Sequence, residues 1–298
     1  MGNFLRWLAP ERSFRPLRPD STTLMVDDFG VVWQTNELNR GYIVKHPLEK
    51  PDLSGYSLPR YDYATKLAHL PEAIRKSRDC FIVCWIGDLF ERANFLRGLD
   101  NFLVDLKLHP AFAHELLDRL EGLVHQNIDA ICQYDVDGLF LSDDYGLQCG
   151  LMMNPATWRE FIKPRLARIF AHCHKHGKKA FLHSCGDVEE IIPDLIETDL
   201  DVLHPIQPEA MDVVKLKARY GRSLCLYGGV STQDWLIRLE PDELKRKLRA
   251  LAQKLSRGSG YILAPGITLQ YDISDANLMA FIEVAREYGT NPEVANEA

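Results

Sequence analysis

The chain has 298 residues, 46% of them hydrophobic and 26% charged, with no low-complexity tract, the composition of an ordinary globular protein of one large or two modest domains. Its formal charge of −7 argues against a duplex nucleic-acid binder, which presents a basic face. No apolar run approaches the roughly 20 residues of a membrane helix.

The opening MGNFLRWLAPERSFRPLRPD carries Arg6, Arg12, Arg15 and Arg18 but no apolar stretch of a secretory signal, and the residues after Gly2 do not fit a myristoylation signal. Seven scattered cysteines without a CxxC read as reduced thiols of a cytoplasmic protein, most of them small core residues. LMVDDFGVVWQ (24–34) reads as a β-hairpin turning at Asp27-Asp28-Phe29-Gly30. Residues 46–63, rich in Pro, Ser, Asp and Tyr, read as a linker, so 1–63 is an N-terminal segment and 64–298 the main body.

From residue 64 onward, β-like runs alternate with helical stretches. The runs are Cys80–Ile86, Gly138–Leu141, Ala180–His183, Val202–Pro205, Leu224–Tyr227 and Tyr261–Ala264. The helical stretches are 111–133, 155–176, 187–197, 209–220 and 241–255. In the first of these, Phe112, Leu116, Leu120 and Leu123 recur at spacings of three and four and bury one face. The second opens on Asn154-Pro155, a cap followed by proline at the first helical position, and Pro164 predicts a break inside it. Alternation of this kind implies parallel strands joined by crossovers. It predicts a (β/α)₈ barrel, with a doubly wound open sheet as the alternative; no GxGxxG follows the first strand.

Chemistry gathers at strand ends. His183-Ser184-Cys185-Gly186 closes the run Ala180–His183. Residues two apart on a strand share a side, so His183 and Cys185 can face one point at the C-terminal mouth, where barrel active sites lie. Imidazole and thiolate are both zinc ligands; the plainer alternative is a core histidine and a small buried cysteine. Asp143-Asp144-Tyr145-Gly146, with Gln148 beyond, follows Gly138–Leu141; the paired carboxylates suit metal ligation or acid–base work, or a turn that caps the next helix. His204, Gln207 and Gln270 are candidates to orient a substrate, and Gly228 and Gly229 to let one approach the backbone. His172 and His176 lie four apart on a helix. They precede the strand, which puts them toward the opposite face, where exposed histidines near a helix C-terminus account for them.

These motifs, in this order, resemble the uroporphyrinogen decarboxylase superfamily. The segments that carry the resemblance are DDFGVVW (27–33), LFERANFLRGLDNFLVDL (89–106), DDYGLQ (143–148), NPATWREFIKPRLARI (154–169), FLHSCGDVEEIIPDLIE (181–197), HPIQPEAMDVVKLKARYG (204–221), LYGGVSTQDWL (226–236) and SGYILAPGITLQYDISDANLMAFIEVAREYG (259–289). The resemblance implies a barrel enzyme. Its decarboxylase branch carries an arginine segment of the form RQAGRY for substrate carboxylates, which Arg6, Arg12, Arg15 and Arg18 do not reproduce. Its methylcobamide:coenzyme M methyltransferase branch holds zinc on His-x-Cys and a later Cys, and His183 and Cys185 match the first two ligands.

The third ligand would fall near Ala264-Pro265-Gly266-Ile267-Thr268, which holds neither Cys nor His. Asp143, Asp144 or His204 is then expected to complete the set, and Cys225 begins a strand, toward the other end. Family members also carry several dozen residues before their DDFGVVW-like segment, first barrel strand included. About 26 precede it here, which implies a barrel closed differently, completed by a partner, or shortened in its N-terminal part.

The resemblance therefore implies a zinc-dependent methyltransferase moving a methyl group between a methylated corrinoid protein and a small thiol or other acceptor. Asp143, Asp144, His183 and Cys185 are its expected catalytic residues. Tyr145, Gln148, His204, Gln207, Gly228, Gly229 and Gln270 are expected to contact substrate. The corrinoid protein would be a separate partner, and a homodimer is the default assembly. A metal-free decarboxylase and a non-catalytic binding barrel are the alternatives.

Overall fold

A computed structural model describes residues 4–11, 13–19, 21–35, 41–266, 269 and 271–290. Seven strands form one sheet: β1 (Leu5–Leu8), β2 (Phe81–Gly87), β3 (Gly138–Ser142), β4 (Lys179–His183), β5 (Val202–Ile206), β6 (Cys225–Val230) and β7 (Tyr261–Pro265). Each pairs in parallel with the next in sequence. Alternation sorts their side chains. Val83, Phe181, Val202, Tyr227 and Ala264 pack together on the concave side with Trp7 and Phe140, while Cys84, Leu139, Leu182 and Leu226 join the core under the helices.

The sheet curls on itself. Trp7 of β1 donates its indole N–H to the Tyr227 hydroxyl of β6 at 2.9 Å, the two rings stacked 5.9 Å apart. Strands far apart in the sheet order therefore meet across the interior. The expected eight-stranded closure is not what the structure shows. Among the described residues there are seven barrel strands, β7 does not pair with β1, and a cavity of about 1220 Å³ opens between them, lined by Leu5, Phe181, Tyr261 and Phe281 among others. β1 arises within the Arg-rich N-terminal segment, so residues 1–63 contribute a strand to the main sheet.

The helical layer follows the periodicity. Among its members are α1 (Phe90–Arg97), α2 (Leu99–Leu108), α3 (Pro110–Ile131), α4 (Lys163–Lys175), α5 (Val213–Tyr220), α6 (Pro241–Leu255) and α7 (Asp275–Thr290). The stretch expected at 155–176 is two helices: Pro155–Phe161, capped by the Asn154 side chain on the Ala156 N–H, and α4, with Pro164 in its first turn. Proline lacks the N–H that a continuous helix would need there. α5 begins at residue 213 and not 209 because the Asp212 carboxylate accepts the N–H groups of Val214 and Lys215.

The expected hairpin forms, Leu24–Asp27 against Val32–Gln34, with Gly30 at φ 83° in its turn. Phe14–Pro16 and Tyr42–Lys45 extend it to four antiparallel strands. Buried Arg92 of α1 docks this small sheet, pairing with Asp88 at 2.8 Å and with Asp27 at 3.3 Å while lying over the Phe29 ring. No described helix is long and apolar enough to cross a membrane.

Candidate metal site at the sheet mouth

The C-terminal ends of β3, β4 and β5 meet around one point. Alternation along β4 turns His183 to the concave side, and parallel register sets His204 of β5 beside it. The chain leaves β4 through Ser184, whose N–H bonds the His204 carbonyl at 2.7 Å, and turns at Gly186 (φ 78°). A side chain at Gly186 would strike the Gly146 backbone at 2.4 Å, which explains why HSCG requires its glycine. That turn brings the Cys185 sulfur back to 3.3 Å from His183 Nε2.

Asp144 completes the group. Its Oδ1 lies 3.4 Å from His183 Nε2 and accepts the Cys185 N–H at 2.8 Å. One ligand atom from each of Asp144, His183 and Cys185 lies within 4.8 Å of the others. All three are partly buried, His183 at 22% and Asp144 at 35% side-chain exposure, so the site is shielded yet open on one side.

The other imidazole nitrogen is committed too. His183 Nδ1 lies 2.9 Å from His204 Nδ1, so one of the two must donate and the other accept. Burial drives the His204 pKa far below the usual histidine value, and the neighbouring His183 adds to this. With His204 neutral, donation from His183 Nδ1–H to His204 Nδ1 is the arrangement that would free His183 Nε2 for an ion held with Cys185 and Asp144.

Around this group the charge is negative. Burial pushes the Cys185 thiol up to about 12, and the Asp144 and Glu91 carboxylates push in the same direction. Burial also works to raise Asp144, but the His183 contacts and the Cys185 N–H outweigh it and hold Asp144 below the ordinary carboxylate range. Without a cation, Cys185 is therefore a protonated thiol at neutral pH. A hydroxyl from β3 joins the rim, with Ser142 Oγ 3.5 Å from Glu91 Oε2.

The donor set is compatible with zinc. Nitrogen, sulfur and carboxylate oxygen are its ligand types, and a tetrahedral ion sets nitrogen and sulfur neighbours about 3.6 Å apart, close to the 3.3 Å found between His183 and Cys185.

Several residues expected at the site support it instead. Asp143 is fully buried and accepts the N–H groups of Leu89, Phe90 and Glu91 at 2.6–3.2 Å and the Tyr145 hydroxyl at 2.6 Å. Burial pushes its pKa up to about 7, against the pull of those donors. Both its oxygens are engaged in fixing the start of α1, so it positions Glu91, and of the two adjacent aspartates it is Asp144 that reaches His183 and Cys185. Tyr145 lies wholly in the core, its N–H held by Ser184 Oγ at 2.9 Å; its expected contact with substrate is corrected to a structural bond with Asp143. Gln207 is buried and accepts the Gly186 N–H at 3.2 Å, with Gln148 3.5 Å beyond.

At Gly228 and Gly229 the protein's own atoms already come too close for a side chain. A Cβ on Gly228 would lie 2.7 Å from the Ile206 nitrogen, and one on Gly229 3.0 Å from the Tyr261 hydroxyl. Cys225 begins β6, at the far end from the mouth. Gln270 lies outside the described residues. Glu91 is the residue that sequence reasoning missed. It lies four residues past the end of β2, and the strand-end rule would have reached it had α1 been recognised. A separate cavity of about 40 Å³, bounded by Asp27, Tyr61, Lys66, Trp85 and Arg92, includes none of the Asp144–His183–Cys185 group.

The sequence model for uroporphyrinogen decarboxylase (URO-D) matches residues 23–288, most of the chain. The chain belongs to the uroporphyrinogen decarboxylase family. Among solved structures, this URO-D family member is similar to a methyltransferase from Methanosarcina mazei, with a TM-score of 0.68 and 23% identity over 85% of this chain and 74% of that one. At that identity the likeness is one of fold. A Xaa-Pro dipeptidase with bound methionine matches at a TM-score of 0.37 and 10% identity over 74% of this chain and 56% of that one, too distant to support any argument. No curated protein matches the sequence.

Proposed function

We propose that this URO-D family member binds zinc on Asp144, His183 and Cys185 and transfers a methyl group from a methylated corrinoid protein to a small thiol acceptor. The observation that carries the reading is the convergence of those three side chains, with His183 oriented from behind by His204. The site thus has three candidate ligands although the residues 264–268 hold no cysteine or histidine, because an aspartate from the end of β3 takes the third place.

Zinc held there would supply a Lewis acid that lowers the pKa of a coordinated acceptor thiol, giving a thiolate at neutral pH. The chain's own residues do the rest. Asp144 and Cys185 provide negative charge to hold the cation, and Glu91 adds to that field. His204 keeps the His183 proton on Nδ1. Asp143 and Gln207 fix the two loops that carry the ligands. The negative charge beside Cys185 suits a metal ion and opposes a polycarboxylate substrate, so the same geometry weighs against a metal-free porphyrinogen decarboxylase.

The test is demethylation of free methylcobalamin by zinc-loaded protein and a small thiol such as 2-mercaptoethanol, followed by the change in corrinoid absorbance. Turnover that requires zinc and disappears in Cys185→Ala supports the function. Failure to demethylate either methylcobalamin or a methylated corrinoid protein, with thiol or tetrahydrofolate as acceptor, refutes it.

A further inference from the structure

We infer that a second divalent transition-metal site, of the zinc or nickel type, lies on Asp129, His172 and His176, at the end of the sheet opposite Cys185. It does not depend on the proposed activity.

His172 is in the last turn of α4 and His176 caps it, so the two rings stand one above the other on a single face, 5.2 Å apart and within 16° of parallel. Asp129 is in the last turn of α3, the helix packed beside α4. The two Nε2 atoms are 3.3 Å apart, and both face the same Asp129 oxygen, at 2.7 and 3.0 Å. A tetrahedral zinc with bonds of about 2.0–2.1 Å sets neighbouring ligand nitrogens about 3.3–3.4 Å apart, the separation the two imidazoles already hold. The oxygen lies closer than that, and Asp129, 59% exposed at its side chain, is free to draw back.

The ligands are also braced. His125 of α3 also lies against His172, ring centroids 4.7 Å apart, and its own Nε2 meets Glu121 at 3.3 Å. Glu121 in turn holds Arg168 of α4 by two bonds of 2.7 Å. His172 thus packs against two rings before any ion arrives, which lowers the ordering cost of binding. His172 and His176 keep 21% and 28% side-chain exposure, so an ion can enter from solvent and water can complete its coordination. Two helices are tied by one ion, and a ligand that binds only the folded state stabilises it.

The experiment separates this site from the mouth. Zinc and nickel uptake is measured by equilibrium dialysis and mass spectrometry in Cys185→Ala, which removes a mouth ligand and leaves Asp129, His172 and His176 intact. One ion per chain is expected, with a rise in melting temperature on adding the metal. Adding His176→Ala, or the milder Asp129→Asn, to Cys185→Ala should weaken uptake about tenfold or more and abolish the thermal shift, with helix content by circular dichroism unchanged. No uptake by Cys185→Ala, or uptake that neither added substitution weakens, overturns the inference. Conversely, His172→Ala with His176→Ala should leave mouth binding intact, so either site can fail without the other.

Discussion

The sharpest test of the mouth geometry is His204→Phe. His204 touches no expected metal ligand atom except through His183, whose Nδ1 lies 2.9 Å from its own. Its ring also packs 4.4 Å from Tyr227, 5.8 Å from Trp7 and 5.9 Å from Phe140. Phenylalanine keeps that aromatic packing and removes both ring nitrogens, the Nδ1 that faces His183 among them. His183 Nδ1–H then loses its buried partner, and the ring is free to rotate or to carry its proton on the nitrogen facing Cys185. Loss of such an outer partner typically costs 10–100-fold in metal affinity, about 1.4–2.7 kcal/mol. The assay is zinc competition against a chromophoric chelator at neutral pH, in a His172→Ala/His176→Ala background so that only the mouth is read. An unchanged zinc affinity in His204→Phe, where Cys185→Ala binds no zinc, would show that His204 does not orient His183.

Three further outcomes follow from the surroundings of the site. Asp143→Asn offers one acceptor and one amide donor where the structure supplies four donors, so it should cost about 2–4 kcal/mol in urea unfolding; a loss under 1 kcal/mol would mean that α1 starts without it. Gly228→Ala sets a Cβ 2.7 Å from the Ile206 nitrogen at φ +135° and should lower stability by about 2 kcal/mol or more, with a normal melting temperature as the contrary result. For buried Glu121, burial works to raise the pKa, but His125 and Arg168 outweigh it and hold it at about 2. A depressed carboxylate contributes stability above its unfolded pKa near 4.5 that is lost as pH falls toward 2. Glu121→Gln should therefore cost up to roughly 3 kcal/mol at pH 7, and its gap from wild type should close on acidification. A gap independent of pH between 7 and 2 would remove the ionic account.

Much of the architecture was legible because it rests on local rules. The six strands expected from apolar runs all occur, with ends that coincide or shift by at most three residues. Asn154-Pro155 starts a helix, Pro164 breaks one, and the Asp27–Gly30 turn makes a hairpin, each through the backbone chemistry of the residue itself. β1 was not legible. Leu5–Leu8 is four residues long and set among arginines, and it becomes a strand only because β2, some seventy residues on, offers a free edge to pair with. The helices α1 and α2 escaped for a related reason: α1 buries Arg92 and Arg97 against acids, so its buried face is not an apolar stripe.

The same division runs through the site. Sequence spacing pointed to His183 and Cys185 sharing a side, but β4 ends at His183 and it is the turn at Gly186 that brings the Cys185 sulfur back to it. Which of Asp143, Asp144 and His204 joined them was settled by tertiary structure. Adjacent residues at a strand end point in different directions, and only the packing of α1 against β3 turns Asp143 inward to cap a helix and leaves Asp144 facing the histidine. Register between β4 and β5 set His204 behind His183 and not beside Cys185. Helix periodicity likewise put His172 and His176 on one face, but the carboxylate that meets them comes from another helix, brought there by the packing of α3 on α4. Local rules set the direction of each side chain relative to its own element; the partner across the gap depends on how the elements pack.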